Sequence, residues 1–226
     1  MSRLLPTALS PFTALMPITG TYDVLTVPVL LPSSTVASLL PQELRSHLLP
    51  VPAEVLADLG LTPQSADAAD QESRQHLVVL QLGRQLGTGP GPMALHFQEA
   101  KIEVPYVRHP DCPDEDKTYS FKLMCIFDSK VLCMGSAVQA GLTSKTTSFT
   151  PTDSPSCFEA SAPSISYSAE GYMSVEATST HHAGGDAGPR TAKALSEMAW
   201  FGAATPRNSA SRFQFDEGSV DAQPQS

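Results

Sequence analysis

Alternation of apolar and polar positions is clearest in Leu95–Val107 (LHFQEAKIEVPYV). Side chains alternate along a strand, so Ala100, Ile102, Val104 and Tyr106 make one face and Glu99, Lys101 and Glu103 the other. On pattern alone the charged row reads as a solvated strand face. An acidic loop (HPDCPDEDK) leads to a second strand at 118–127 (TYSFKLMCIF), a turn at Asp128-Ser129, and a further strand starting at 131–134. Short links between successive strands predict an antiparallel meander. Upstream, 22–31 (YDVLTVPVLL) reads as a strand demoted to an edge by Pro28. Ser33-Ser34-Thr35 then starts a short helix at 36–40, which Pro41 stops. Val55, Leu56 and Leu59 give 51–61 a helical spacing, 62–73 is a polar loop, 76–82 a buried strand, and 87–92 (GTGPGP) a turn. From 150 to 189 the chain is dominated by Ser, Thr, Ala, Gly and Pro, with strands expected at 164–167 and 172–175 and a last one near 212–215.

These elements predict a mostly β (α+β) fold, a meander closing into a partly open barrel with a few short helices. The expected organisation is an N-terminal extension (1–20), one domain (21–220) with a loop-rich stretch at 150–190 open to disorder, and a tail (221–226). A chain of 226 residues supports one well-buried core and not two comfortable domains.

Charge and cysteine content narrow the function. Fourteen basic and 23 acidic residues give a net charge of −9, and no Lys/Arg cluster is present to meet a run of phosphates, which excludes nucleic acid as the expected partner. No apolar run approaches a membrane span, and the proline-broken start lacks the core of a secretory signal. The expected location is the cytoplasm. Cys112, Cys125, Cys133 and Cys157 match no zinc spacing and read as reduced, mainly buried thiols. His181-His182 and His109 with Cys112 lack the further ligands a metal needs, so no metal is expected. Nucleophile-elbow, phosphate-loop and dinucleotide signatures are absent. Lys122, taken with Met124 and Ile126, reads as an edge lysine guarding the sheet. Gly135 and Gly141 read as turn or bulge glycines, and Lys145 in TSKTT as an exposed loop lysine.

An ordered series of short motifs changes this picture. Phe97-Gln98-Glu99 precedes Glu103-Val104-Pro105; Phe127-Asp128-Ser129 precedes Val131-Leu132-Cys133-Met134-Gly135; and Gly141-Leu142-Thr143-Ser144-Lys145 follows. With the upstream segment 29–44 (VLLPSSTVASLLPQEL), this series resembles the acetoacetate decarboxylase family over residues 20–150, with weaker echoes at Trp200-Phe201-Gly202 and Arg212-Phe213. The departures are as specific as the matches. Ser136-Ala137 stands where the family has arginine-glutamate, Leu30 where it has an arginine, and Ser144-Lys145 where it has two lysines.

The resemblance implies decarboxylation of a β-keto acid through a lysine Schiff base, without a cofactor. A neutral lysine amine attacks the ketone, the iminium accepts the electrons of the breaking bond, and carbon dioxide leaves. Direct superposition puts Ser144 at the Schiff-base position; a one-residue shift of the loop puts Lys145 there instead. Glu99 would orient the substrate or shuttle a proton. Phe97, Met134, Gly141, Leu142 and Ser144 would line the substrate site, keeping it dry and favouring longer acyl chains. The implied setting is a polyketide-type pathway of secondary metabolism, and the resemblance makes a homo-oligomer plausible. Two alternatives stand beside this one: a same-fold acid–base enzyme of aldol or dehydration type that depends on Glu99, and a degenerate ligand-binding protein that needs neither residue.

Overall fold

Four long strands, rich in β-branched and apolar residues, pair in sequence order: β1 (Ile18–Pro32), β2 (Gln75–Pro90), β3 (Leu95–Val107) and β4 (Tyr119–Phe127). Each of these pairings is antiparallel; the predicted meander covered β3 and β4, and β1 and β2 extend it. The computed structural model describes residues 18–62, 74–90, 95–112, 114, 117–152, 164–178 and 187–204. Most of the N-terminal extension, the loop after residue 62, His181-His182, the strand expected at 212–215 and the tail lie outside the described residues.

Two short strands then join β4 in parallel: β5 (Ser144–Thr146) beside its C-terminal half and β9 (Trp200–Gly202) beside its N-terminal half. The result is a six-stranded sheet. β1 ends its path as the edge strand that Pro28 predicts, and the described strands form an open sheet, not a closed barrel. A second, three-stranded sheet contains β6 (Phe149–Thr150), β7 (Ser164–Ala169) and β8 (Met173–Thr178). The tract from 150 to 190 thus contributes two full strands. Among the described residues no helix is long and apolar enough to cross a membrane.

One face of the large sheet is apolar along most of its length. Leu82, Ala100 and Ile126 meet Phe149, Tyr167 and Ala169 of the small sheet. Further along, Val78, Val104 and Phe121 meet Val36, Leu40 and Leu44 from α1 (Ser33–Leu39), its C-cap and the following 3-10 turn (Gln42–His47). The opposite face is apolar only at its ends. Leu77 and Val79 lie under α2 (Ala53–Asp58) and α4 (Ala187–Ser196), while Phe97 and Phe127 pack with Leu142, Trp200 and α3 (Lys130–Ala140).

Three sequence expectations need correction. Residues 131–134 begin α3, not a strand. Ser129 caps it, its hydroxyl accepting from the Leu132 N–H at 3.5 Å, and Gly141 ends it in the left-handed region at φ 64°. Four apolar residues are too few to separate the two periods, whereas Ser at the N-cap and Gly at the C-terminal stop favour a helix. The tract expected to turn at 87–92 instead continues β2 to Pro90. Finally, Lys122 is not on an edge, because β5 and β9 cover the far side of β4.

Tyr167 ties the two sheets together. Its hydroxyl lies 3.0 Å from the Gly83 carbonyl oxygen and 2.5 Å from Gln98 Oε1, in a buried setting. Tyr167→Phe leaves both acceptors without it, so stability should fall by about 1–2 kcal/mol. The expected readout is a lower urea midpoint with an unchanged m-value.

Candidate functional site

The middle of the second face carries charge where its ends carry apolar groups. Glu99, Lys101 and Glu103 follow one another at two-residue spacing on β3, so they share that face. Lys122 joins them from β4, and sequence parity alone does not place it there. Ile102 pairs with Met124 but Glu103 pairs with Lys122, so Leu123 is an extra residue in the ladder. This β-bulge reverses the alternation. It turns Lys122 away from Met124 and Ile126, with which it was expected to share a face, and towards the carboxylates.

The four side chains form two ion pairs. Lys101 Nζ lies 2.9 Å from Glu99 Oε1, and Lys122 Nζ 2.6 Å from Glu103 Oε1. Both lysine side chains are 3% exposed, Glu99 5% and Glu103 7%. The solvated face expected from the pattern is therefore interior. Gln85 Nε2 donates to Glu99 Oε1 at 2.8 Å, and the Ser120 hydroxyl donates to Glu103 Oε2 at 2.9 Å. Each ammonium also lies 4.5 Å from an aromatic ring centroid, Lys101 over Tyr22 and Lys122 over Trp200, a favourable cation–π arrangement.

This packing fixes the protonation states. Burial works against ionisation of Glu99, but the Lys101 ammonium and the Gln85 amide outweigh it and hold the carboxyl below its ordinary range. Glu103 follows the same pattern, burial being overcome by Lys122 and then Lys101. For Lys101, burial favours the neutral amine, yet Glu99 and Glu103 together raise its pKa. Burial, with the negative charge of Glu99 beside it, pushes the Tyr22 phenol well up. Cys125 lies among all four charged groups, and burial is the main cause that raises its thiol to about 11. The resting site is thus two carboxylates and two ammoniums, neutral as a set, with a protonated phenol and thiol.

The residues singled out from sequence separate here. Glu99 is in the quartet, and Phe97 and Leu142 belong to the adjoining apolar layer. Met134 is not a wall of that layer: it stands 68% exposed on the outside of α3. Gly141 ends that helix. Ser144 pairs with Cys125, which pairs with Lys101, so its row reaches the quartet's face; its hydroxyl is 2.7 Å from that of Ser136. Lys145 pairs with Ile126 and therefore points to the other face, where it is exposed. The register brings Ser144, not Lys145, to the side that holds Glu99.

Sequence reading missed Tyr22, Gln85, Ser120, Lys122 and Trp200 as companions of Glu99. One signal was present: the Glu-Lys-Glu row neutralises most of its own charge, as an interior row must. Among the described residues no three His, Cys, Asp or Glu side chains converge as metal ligands. A shallow surface depression lined by Lys117, Thr118, Glu197 and Met198 contains none of the quartet.

Removing one member of a buried pair strands its partner's charge. Lys122→Met should cost about 3–5 kcal/mol, and adding Glu103→Leu should recover most of it. The two glutamates, with pKa values lowered on folding, contribute stability that is present above their unfolded range and is lost as pH falls through the folded values. Stability measured by denaturant should therefore drop below about pH 4, with a shallower drop in the Lys122→Met/Glu103→Leu protein.

No protein-family model, curated protein or solved structure matches the chain.

Proposed function

We propose that the quartet is the reactive centre of an acid–base enzyme acting on β-keto acids, with Glu99 as proton carrier and Lys101 as the stabiliser of an enolate oxygen. The observation that carries this reading is the burial of four ionised side chains on one sheet face. Such a cluster adds little stability over a well-packed apolar set, and ionisable groups held in fixed, perturbed states concentrate at functional sites. The substrate class comes from the sequence resemblance to acetoacetate decarboxylases.

The chemistry follows from the resting charges. The Glu99 carboxylate takes the acidic proton between the two carbonyl carbons, and the electron pair moves onto the ketone oxygen. Lys101, cationic and 2.9 Å from Glu99, supplies the compensating charge where that oxyanion develops, in surroundings that exclude water. The enolate then adds to a carbonyl or expels a β-hydroxyl group, and the proton held by Glu99 returns to the product or to the leaving oxygen. Lys122 and Ser120 keep Glu103 occupied, so that Lys101 faces Glu99 first.

A second reading keeps the Schiff base and moves its lysine. Ser144, at the position the resemblance gives to the reactive amine, shares its cross-strand row with Lys101. Lys101 is then the amine, and Glu99 must first take its ammonium proton. Loss of carbon dioxide from the iminium leaves an enamine, which Glu99 reprotonates at carbon before water releases the ketone.

Borohydride trapping with a medium-chain β-keto acid separates the readings. Under the acid–base reading, Glu99→Gln lowers turnover by about 10²–10⁴-fold and no reduced adduct forms. An adduct mapped to Lys101 establishes the Schiff-base version. An adduct on Lys145 refutes both placements and restores the loop lysine, while absence of turnover with any chain length leaves the quartet a binding or structural centre.

A further inference from the structure

α3 covers the apolar layer beside the quartet, yet it is attached to the rest of the protein by little. None of its 11 residues is buried. Its inner side sets Leu132, Cys133 and Ala140 against Phe97, Cys125, Phe127, Leu142 and Trp200. Its outer side shows Val131, Met134 and Val138 at 78%, 68% and 83% exposure. Their i, i+3, i+7 spacing makes one continuous stripe. A helix apolar on both sides but buried on neither lacks the packing that fixes a structural helix, and elements with few buried contacts open at low free energy. Its two ends suit such movement. The Ser129 cap is long, at 3.5 Å, and Gly141 turns the chain in a left-handed conformation at φ 64°.

Beneath α3 the layer runs directly into the charged centre. Phe127 pairs with Glu99 and Cys125 with Lys101 across the sheet, and the Trp200 ring centroid lies 4.5 Å from Lys122 Nζ. Lifting the helix therefore opens an aromatic bay with ammonium groups at its inner end. That combination suits a carboxylic acid bearing an apolar chain: the chain replaces the contacts of Leu132 and Ala140, and the acid group faces Lys101 and Lys122.

We infer that α3 is a lid, and that the layer of Phe97, Phe127, Leu142 and Trp200 beneath it binds the apolar chain of the acid that the quartet processes. The identity of the headgroup rests on the function proposed above; the lid and the chain site do not.

The full-length protein supplies its own reporters. Cys125 is 2% exposed under the lid, and Trp200 is the single tryptophan of the chain. In native buffer, alkylation of Cys125, mapped by peptide mass spectrometry, should run about tenfold or more faster than global unfolding allows. Decanoate, used as an unreactive probe, should slow that alkylation and change Trp200 fluorescence over one concentration range. Gly141→Ala, which strains the lid's left-handed stop, should speed alkylation several-fold. Labelling of Cys125 only at the rate of global unfolding overturns the lid. Decanoate without effect on either signal overturns the chain site. Turnover of a β-keto acid with no lid opening would remove this inference alone, whereas decanoate binding without any turnover would remove the proposed reaction and leave the lid in place.

Discussion

The Lys122–Glu103 contact at 2.6 Å and its neighbour, Lys101–Glu99, set the terms for everything around them. An isolated charge inside a protein costs several kcal/mol, and mutual attraction offsets that cost only where the geometry is good and the remaining lone pairs are satisfied. Ser120 and Gln85 satisfy carboxylate oxygens, and the Tyr22 and Trp200 rings take up the open sides of the ammoniums. Each group's charge state therefore depends on the others being present. The same dependence explains why this face must be sealed. α2 and α4 close one end, β9 one side, and α3 the other end.

The seal is built from late parts of the chain. β9, which supplies Trp200, pairs beside Ser120 and Lys122 although some 80 residues separate them in sequence. α4 reaches in through Ser196, which accepts a hydrogen bond from Gln81 Nε2 at 2.9 Å, and α4 is tied to α2 through Thr191 and Asp58. The quartet is consequently not a local feature of β3. It forms only when the ends of the described chain have closed over the sheet.

The apolar layer and the quartet share Cys125 and Phe127 as common border, which couples the packing of the layer to the charges beside it. Opening the layer raises the local dielectric and weakens both ion pairs; closing it strengthens them. In the proposed lid, α3 is the element through which that change is made: its inner residues touch the layer and its outer stripe is exposed. As the proposed lid, such a helix would keep the centre dry at rest and open it on demand, the condition that the proposed proton transfer at carbon requires.

Strand periodicity and helix stop signals made much of the fold legible. The long strands β1–β4, the antiparallel link of β3 to β4, the edge position of the strand holding Pro28, the helices after Ser33 and near Val55, and two strands after residue 163 all follow from local pattern, because alternation and capping are properties of neighbouring residues. Ala100, Ile102 and Val104 were legible as core for the same reason, but Tyr106, expected beside them, packs with Leu77 and Val79 on the opposite face, because the ladder shifts register between Val104 and Val107 and Tyr106 takes a positive φ of 59°. What local pattern left undecided is which elements would cover the odd face, and so whether Glu99, Lys101 and Glu103 were solvent-facing or interior. That depends on partners distant in sequence, Trp200 and α4 among them. The facing of Lys122 depended on one extra residue, Leu123, whose accommodation is settled by the pairing of two strands and not by the sequence of either. Likewise the motif Ser144-Lys145 offered two candidates one position apart, and only pairing with Cys125 and Ile126 assigned opposite faces to them. The sequence by itself determined the long strands and most of one buried face; the tertiary structure decided where the charges went and which short strands completed the sheets, because burial and strand register are relations between segments that no single segment encodes.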